Sequence, residues 1–259
     1  MNHQIISYVN HWLNEVNSHS LQAPFIYNLY TKFIQKDFNK SHFESIEKTR
    51  VKLLNEDFSV KTVNYGATSI VHANLQQTRV STITKKGLSS AKVSRLLARL
   101  IEFNGAKNII ELGTSFGLNT MYLAHKKDTS VITFEGSEDI ANVALTNFEH
   151  HQKSNIELIL GNIDKTLPEF LNARIRIDFA YIDANHRYKP TIRYFESIIK
   201  RMHKDSILVL DDIYWSKEMT QAWNEIKAHP EVTHSIDLFS VGIVFFQPDL
   251  VKTNYRLMF

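Results

Sequence analysis

The stretch NIIELGTSFGLNTMYLA, residues 108–124, joins a short aliphatic run to two glycines and a segment of helix length. Asn108–Leu112 predicts a buried strand, and Gly113 and Gly117 predict a tight turn before a helix that begins near Leu118. Glycines at such a turn let the backbone come close to a ligand beside the start of a helix. The spacing Gly-x-x-x-Gly alone is weak evidence for a ligand, so the rest of the chain has to supply the context.

From residue 105 onwards, short β-rich runs alternate with amphipathic segments of helix length, which is the pattern of α/β proteins. Strands separated by helices run parallel, whereas Ser240 and Val241 are too few for a crossover and predict a final antiparallel hairpin. The sequence therefore predicts a Rossmann-like, doubly wound, seven-stranded mixed sheet with an antiparallel C-terminal hairpin. The predicted strands are Asn108–Leu112, Val131–Glu135, Ile156–Leu160, Ile177–Ile182, Ile207–Leu210, Thr233–Phe239 and Gly242–Gln247.

The N-terminal third differs from this pattern, and the first glycine of the chain is Gly66. Residues 1–56 predict two or three helices, with Pro24 at the start of one. Residues 57–85 are polar and rich in Thr and Ser, and they predict a connection or a flexible cover. We therefore expect a helical N-terminal extension at 1–84 and an α/β domain at 85–259.

The composition narrows the class of protein. The chain has 259 residues, of which 43% are hydrophobic and 22% charged, so it suits one large globular domain and is not globally disordered. The absence of cysteine excludes disulfides and Cys-ligated zinc or iron–sulfur sites. Apolar runs are far shorter than the ~18 residues of a membrane span, and the N-terminus lacks the pattern of an export signal. These features predict a cytoplasmic protein without a membrane partner.

The formal charge of +3 is divided unevenly, with +7 in residues 1–100 and −4 in residues 101–259. A basic region can bind nucleic acid, but the cations here are spread among acids, which is typical of a solvated surface. The fourth predicted strand ends in Ile182-Asp183-Ala184-Asn185, which is not an Asn/Asp-Pro-Pro-Tyr-like motif for a flipped base. Both observations argue against a nucleic-acid substrate.

Ligands of open α/β sheets bind beyond the carboxyl ends of the strands, so the last residue of each strand is informative. The second predicted strand ends in Glu135, about twenty residues beyond the glycine turn. A carboxylate at this place can accept hydrogen bonds from both hydroxyls of a ribose. The pattern indicates a ligand of the adenosine type.

Five motifs carry a more specific resemblance: NIIELGTSFGLNTMYLA, VITFEGSEDIANVALTNF, LILGNIDKTLPEFL, IDFAYIDANHRY and SILVLDDIYWS, in this order. They resemble the successive motifs of class I S-adenosylmethionine-dependent methyltransferases, over roughly residues 85–247. The chain is most similar to the branch of small-molecule O-methyltransferases that includes the catechol methyltransferases. This resemblance implies an enzyme that transfers a methyl group to a small molecule, at oxygen. It also implies that the N-terminal extension forms a cap over the substrate or a contact in a homodimer.

The resemblance implies a cofactor-binding role for residues at the strand ends. Those at the methionine end are Glu111, Gly113, Thr114, Ser115 and Gly117. Those at the ribose are Glu135 and Gly136, and those at the adenine are Asn162, Ile163 and Asp164. Asp183 would approach the sulfonium and the substrate. The alternatives are that the glycines only form turns and that Asp164 only caps the next helix.

Three carboxylates end neighbouring strands: Asp183 on the fourth, and Asp211 and Asp212 on the fifth. In the catechol-type enzymes an Asp and an Asp-Asn pair bind magnesium, whereas this chain has Asp-Asp. Oxygen ligands suit Mg²⁺ or another divalent cation, which the resemblance implies as a second cofactor. The alternative is that Asp211 or Asp212 caps the helix near Ser216 or pairs with a cation such as Arg187.

His186 follows Asp183 by three residues in the loop after the fourth strand. With an ordinary pKa near neutrality, this histidine could accept the substrate proton, or it could only make a hydrogen bond. Tyr214 and Trp215 are candidate aromatic walls of a substrate pocket. Asp183 and His186 are thus the candidate catalytic residues.

Three other functions fit part of the sequence. A NAD-dependent oxidoreductase is disfavoured by Gly-x-x-x-Gly in place of Gly-x-Gly-x-x-Gly and by the final hairpin. A non-catalytic S-adenosylmethionine-binding protein would keep the same cofactor residues. A nucleic-acid methyltransferase would use the basic N-terminal region.

Overall fold

A computed structural model of the protein describes residues 2–17, 20–21, 23–38, 40–64, 74–173, 175–248 and 251–259. The chain divides into two compact units. Unit 1 consists of Met1–Asp37, Glu102–Ala106 and Arg176–Phe259, and unit 2 consists of Phe38–Ile101 and Lys107–Ile175. Each unit is described separately below.

The helices and strands alternate along most of the chain. In order they are α1 (Asn2–Leu13), α2 (Pro24–Leu29), α3 (Glu44–Leu54), β1 (Ser59–Asn64), β2 (Asn74–Arg79), α4 (Val80–Gly87), α5 (Ala91–Asn104), β3 (Asn108–Leu112), α6 (Leu118–Leu123), β4 (Ser130–Glu135), α7 (Glu138–His150), β5 (Ile156–Leu160), α8 (Ile163–Leu171), β6 (Phe179–Ile182), α9 (Tyr188–Ile199), β7 (Ile207–Asp211), α10 (Lys217–Ala228), β8 (His234–Asp237), β9 (Val241–Phe245) and β10 (Thr253–Arg256).

In unit 2, strands β3, β4 and β5 run parallel in this order, as the alternation of strands and helices predicts. Strand β3 is buried from Ile109 onwards, and three of its four buried residues, Ile109, Ile110 and Leu112, are apolar, as is typical of a parallel strand covered on both faces. The helices that follow these strands pack on β4. The parallel register brings the carboxyl ends of β3 and β4, at Leu112 and Phe134, to the same edge of the sheet.

The described part of residues 57–85 has regular secondary structure where the composition predicts a connection or a flexible cover, and residues 65–73 lie outside the described residues. Within the described part, β1 and β2 form an antiparallel hairpin, and α4 follows it directly. The prediction fails because polar residues occupy both faces of most of the hairpin, so apolar alternation is weak. Its buried anchors are Val60 and, at the start of α4, Val80.

In unit 1, the strand order is β10-β8-β9-β7-β6. Strands β6 and β7 are parallel, while β9 is antiparallel to both β7 and β8. The mostly parallel α/β architecture and the hairpin β8–β9 are thus confirmed. The count of seven strands is not confirmed, because β10, which the sequence did not predict, adds to the edge parallel to β8.

The N-terminal segment of unit 1 is helical, as predicted, with Pro24 as the first residue of α2. The rings of Phe25 and Phe33 contact Phe103, with centroids 5.5 and 5.0 Å away. After α1, Val16 forms a parallel β-bridge with Leu257. Among the described residues, no helix has both the length and the apolar character needed to cross a membrane.

Candidate functional site

The glycine turn after β3 is held to the end of β4. The amides of Gly113 and Thr114 both donate to the carbonyl of Phe134, at 3.1 Å each. Gly113 and Ser115 have φ angles of 101° and 48°, in the left-handed region that favours glycine at the first of these positions. The turn therefore has a fixed backbone conformation next to the end of β4.

Packing as well as backbone conformation requires glycine at position 117. Its φ is 76°, and a Cβ atom there would lie 2.3 Å from Cε1 of Phe148 on α7. The close contact lets α6 begin directly at Leu118 while α7 covers the turn. The structure thus supports the alternative interpretation, in which Gly117 forms the turn. This role is compatible with a ligand bound next to the turn.

Glu111 is fully buried and belongs to a polar network inside unit 2. Its carboxylate accepts hydrogen bonds from Asn119 Nδ2 at 2.8 Å, Thr133 Oγ1 at 2.7 Å and Thr120 Oγ1. Thr114 Oγ1 lies 2.7 Å from Thr133 Oγ1 and is engaged in the same network. These contacts let Glu111 and Thr114 hold the turn in position.

Asn119 is a residue that the sequence analysis missed. Its Nδ2 binds Glu111, but its Oδ1 is buried and has no hydrogen-bond partner among the described residues. A buried acceptor without a donor costs about 1–3 kcal/mol, so such an atom calls for an explanation. Only its place in the first turn of α6, right after the glycine turn, could have indicated it.

Glu135 ends β4 and faces the same turn. Its Oε2 accepts from the amide of Ser115 at 3.0 Å, and its Oε1 accepts from the amide of Ser137 at 2.9 Å. Burial raises the pKa of Glu135, although the amides of Ser137, Ser115 and Gly136 oppose this shift. The two carboxylate oxygens together have four lone pairs, so acceptor capacity for a ligand hydroxyl remains besides these amides.

The hairpin β1–β2 reaches the neighbourhood of Glu135. Ser137 Oγ donates to the carbonyl of Lys61, and the amide of Lys61 donates to Asp139 Oδ2 at 2.7 Å. Strand β1 is thus attached to the start of α7, two residues beyond the carboxylate. This contact could not be predicted from local sequence patterns, because it joins residues 76 positions apart.

The loop after β5 carries the three residues predicted at the adenine. Asn162 is the N-cap of α8, since its Oδ1 accepts from the amide of Asp164 at 2.9 Å. The alternative that Asp164 caps this helix is therefore wrong, and its side chain is exposed in the first turn. Ile163, the first residue of α8, is half-buried.

In unit 1, a carboxylate cluster surrounds His186. Its Nε2 lies 3.2 Å from Asp183 Oδ1 and 3.6 Å from Asp212 Oδ2. Burial by itself would lower the pKa of His186, but Asp183, Asp212 and Asp211 outweigh this effect and raise it to about 9. Burial and the neighbouring carboxylates raise the pKa of Asp211 well above its usual range. The structure thus brings together the predicted acids and the predicted base, with the imidazole as their cationic partner.

The backbone around this cluster is strained. Asn185, His186 and Asp212 have φ angles of 66°, 27° and 53°. Asn and Asp tolerate this region, but the φ of 27° at His186 lies outside the range of about +50° to +70° that is favoured there, so its surroundings hold this conformation. Such strain is typical of functional sites and agrees with a role for this loop.

The structure bears on two predictions about the acidic strand end. Ser216 caps α10 by accepting from the amide of Met219 at 3.1 Å, so neither Asp211 nor Asp212 caps this helix. Within the described ranges, no group of three or more His, Asp or Glu side chains is arranged to hold a metal ion.

The two candidate wall residues differ in their surroundings. Tyr214 is buried, and its hydroxyl donates to Asp237 Oδ2 at 2.6 Å, so it is a structural residue and not a wall. Trp215 is 56% exposed, with its ring centroid 6.5 Å from that of His186. Trp215 therefore keeps its predicted position beside the acidic cluster.

Comparison with known proteins agrees with the geometry. A methyltransferase-domain family matches residues 110–213, about two fifths of the chain. The O-methyltransferase imqG of Aspergillus flavus is 25% identical over 162 residues, which cover 58% of this chain and 64% of that protein. A catechol O-methyltransferase of Niastella koreensis is 29% identical over 129 residues, covering 48% of this chain and 56% of that protein. The chain thus spans less than two thirds of the length of these two relatives.

Among solved structures, an O-methyltransferase from Bacillus cereus in complex with SAH has a TM-score of 0.56 and 19% identity, and the match covers 88% of this chain and 100% of that one. Identity this low shows the fold alone, which is Rossmann-like as predicted. The resemblance inferred from the sequence is therefore confirmed: residues 110–213 match a methyltransferase domain, and the chain is similar to S-adenosylmethionine-dependent O-methyltransferases in sequence and in fold.

Proposed function

We propose that this protein transfers the methyl group of S-adenosylmethionine to an oxygen atom of a small-molecule acceptor. The observation that carries the proposal is the carboxylate of Glu135, fixed by two backbone amides beside a glycine turn at the end of β4. The names of the relatives from Aspergillus flavus and Niastella koreensis support oxygen as the acceptor atom.

The residues present fit the cofactor at both of its polar ends. The carboxylate of Glu135, held by backbone amides, retains acceptor capacity for the hydroxyls of the ribose. Asn119 Oδ1, a buried acceptor without a donor, suits the ammonium group of the methionine part. Gly136, next to Glu135, leaves room for the nucleoside, and Asp164 offers an exposed carboxylate to the adenine amine.

The chemistry requires little from the side chains. When bound through Glu135 and Asn119, the cofactor would supply an electrophilic methyl group on its sulfonium for transfer to the acceptor oxygen. Holding the two reacting atoms about 3–3.5 Å apart contributes up to ~7–11 kcal/mol to such reactions. The role of the protein is then to hold the cofactor and acceptor in line and to take up the proton of the acceptor hydroxyl.

His186 is the proposed proton acceptor, with Asp183 as the group that orients it. The imidazole Nε2 lies 3.2 Å from Asp183 Oδ1, within reach of a charge-assisted contact. Because the neighbouring carboxylates raise the pKa of His186 to about 9, only the neutral fraction of the imidazole acts as a base, and turnover is expected to increase with pH towards 9. Trp215, half-exposed beside this ring, offers an apolar surface for a planar acceptor.

The acidic cluster does not fit a divalent cation in this arrangement. Such an ion would need oxygen atoms of Asp183 and Asp212 that already surround the imidazole of His186. Asp211, the third predicted ligand, makes a hydrogen bond with Tyr181. We infer that the imidazole of His186 takes the place of Mg²⁺ between the carboxylates, so that methyl transfer proceeds without an added cation.

Methyl transfer can be tested by incubating the full chain with S-adenosylmethionine and a panel of phenols, catechols and carboxylic acids, with detection of the demethylated cofactor. Turnover of a hydroxyl-bearing acceptor is expected. Cofactor binding without turnover of any acceptor would favour a non-catalytic binding protein. A lack of cofactor binding would overturn the proposal as a whole.

The role of the cation can be tested separately with Mn²⁺, whose binding is seen by electron paramagnetic resonance. We expect EDTA to leave turnover unchanged and His186→Ala, but not the wild type, to bind Mn²⁺. His203→Ala is the matched control, because His203 Nε2 pairs with Asp178 Oδ1 at 2.9 Å elsewhere in unit 1. Tight Mn²⁺ binding by the wild type, or turnover that EDTA abolishes and Mg²⁺ restores, would contradict the inference.

A further inference from the structure

A cavity of about 440 Å³ in unit 1 is lined by none of the residues assigned to the cofactor or the acceptor. Its walls are the ends of β8 and β10, the last turn of α10 and the residues that follow α1. Sites for small metabolites have volumes of about 300–1,000 Å³ and are lined mainly by apolar side chains. This cavity has the volume of such a site, but its lining is mostly polar and includes Asn14, Ser20, Lys227, Asp237, Asn254 and Arg256.

Lys227 brings an ammonium group without an acidic partner to the cavity. Its Nζ lies 5.3 Å from the centroid of the Trp223 ring, which is fully buried, so a cation–π contact positions it. Burial lowers the pKa of Lys227, an effect that Asp237 opposes and the positive charge of Arg256 increases. Within the described part of the chain, this ammonium has no hydrogen bond or ion pair. An anionic ligand would compensate for the loss of water around it.

Arg256 supplies a second cation on a backbone that is fixed from two sides. It is the last residue of β10, where it pairs with Asp237 of β8, and its carbonyl accepts from the amide of Val16 at 2.8 Å. Its side chain is 32% exposed, and its Nε lies 3.9 Å from Asp237 Oδ2, at the outer limit of an ion pair. A planar guanidinium in this position can donate two parallel hydrogen bonds to one oxyanion.

The carboxylate of Asp237 is already engaged by other donors. Its Oδ1 accepts from the amide of Phe239 at 3.0 Å and lies 3.2 Å from His11 Nε2. Its Oδ2 accepts from the Tyr214 hydroxyl at 2.6 Å and from Trp223 Nε1 at 3.3 Å. Although burial opposes the shift, these partners lower the pKa of Asp237, which is therefore ionised. The cavity thus has two cations against one carboxylate whose lone pairs are in use.

Neutral donors next to these cations favour a phosphate group over a carboxylate. Asn254 Oδ1 accepts from Ser235 Oγ at 2.7 Å, so Asn254 offers its Nδ2 donor to a ligand. The hydroxyl of Tyr255, another lining residue, can also donate. A phosphate monoester has up to two negative charges and three terminal oxygens, and it can therefore use two cations and both neutral donors. A carboxylate has one charge and two oxygens.

We propose that this cavity binds a phosphorylated metabolite, with the phosphate group between the ammonium of Lys227 and the guanidinium of Arg256. The proposal is independent of the proposed function, because S-adenosylmethionine has no phosphate group and the cavity contains none of the residues assigned to methyl transfer.

Phosphorus-31 nuclear magnetic resonance tests the proposal with inorganic phosphate as the ligand and the full chain as the protein. The wild type is expected to broaden the phosphate resonance in a saturable way, and Lys227→Gln is expected to raise the dissociation constant at least about tenfold. Lys217→Gln is the matched control, because Lys217 is exposed in the first turn of the same helix and does not line the cavity. A wild type without saturable binding, or an equal loss in the control, would overturn the proposal. Malonate that binds more tightly than phosphate would identify a carboxylate site and also overturn it.

A second measurement uses the wild type alone and does not depend on the folding of a variant. The chain is acetylated with acetic anhydride, and the extent of reaction at each lysine is followed by mass spectrometry. At about ten times its dissociation constant, phosphate should slow the acetylation of Lys227 about tenfold and leave that of Lys217 unchanged. Equal rates at Lys227 with and without phosphate would contradict the site.

Discussion

The substitution Glu135→Gln tests the proposed cofactor site most directly. The carboxylate accepts one backbone amide on each oxygen and offers the remaining lone pairs to the two ribose hydroxyls. Gln keeps the shape of the side chain but replaces one acceptor oxygen by an NH₂ donor, which faces the amide of Ser115 or Ser137. One amide and one ribose hydroxyl thereby lose their acceptor.

The size of the effect follows from these contacts. A hydrogen bond to a charged group contributes about 1.5–3 kcal/mol, and a neutral one about 0.5–1.5 kcal/mol. Replacing two charged contacts with the ribose by a single neutral one should cost about 2–4 kcal/mol of binding free energy. This corresponds to a dissociation constant for S-adenosylmethionine that is on the order of 30- to 1000-fold higher.

Isothermal titration calorimetry of the wild type and the variant measures this ratio. Glu138→Gln is the matched control, because Glu138 is exposed in the first turn of α7, three residues away, and should bind the cofactor within about threefold of the wild type. Since burial raises the pKa of Glu135, we also expect wild-type affinity to fall as acidification protonates it, at a higher pH than for an ordinary Glu. An affinity of Glu135→Gln equal to that of the control would refute the assignment of Glu135 to the ribose.

Three further predictions concern stability. Gly117→Ala should lower the free energy of unfolding, measured in urea, by about 2–5 kcal/mol, because Gly117 has a positive φ and an added Cβ would meet Phe148. In the double variant, Phe148→Leu should recover part of this loss. Although burial opposes it, Asp237 raises the pKa of His11, so His11→Gln should cost about 3 kcal/mol below pH 6.5. That difference should shrink as pH rises through the raised pKa, and a constant difference would contradict the ion pair. Tyr214→Phe should lose about 1.5–3 kcal/mol of stability with KM for the acceptor unchanged, whereas a raised KM would restore its predicted role as a pocket wall.

Patterns within short stretches of sequence were sufficient to predict the parts of the fold that depend on residues close together in the chain. The run Asn108–Leu112 is a strand with the predicted bounds, because its aliphatic residues suit a position buried on both faces. The two-residue connection before Val241 allows only a hairpin, and β8 and β9 are antiparallel accordingly. The rule that ligands bind beyond the carboxyl ends of the strands likewise identified Glu135, because the end of β4 can be predicted from the residues of the strand itself.

Contacts between distant residues were not visible in these patterns. The hairpin β1–β2 has little apolar alternation, and it is fixed by Val60 in the core and by the contact of Lys61 with Ser137. The position of β10 depends on pairing with β8, about twenty residues earlier. Asn119 is an ordinary helix residue in the sequence, and only the network around Glu111 leaves its Oδ1 without a donor.

The sequence by itself determined the α/β class, the order of the strands along the chain and the carboxylates that end them, because these follow from hydrophobic period and turn chemistry within short windows. Only the tertiary structure decided how those groups are used. It buries Tyr214 against Asp237, and it sets His186 among the acids that the sequence assigned to a metal. The physical reason is that the charge state and accessibility of a side chain depend on every group packed around it, and those groups come from distant parts of the chain.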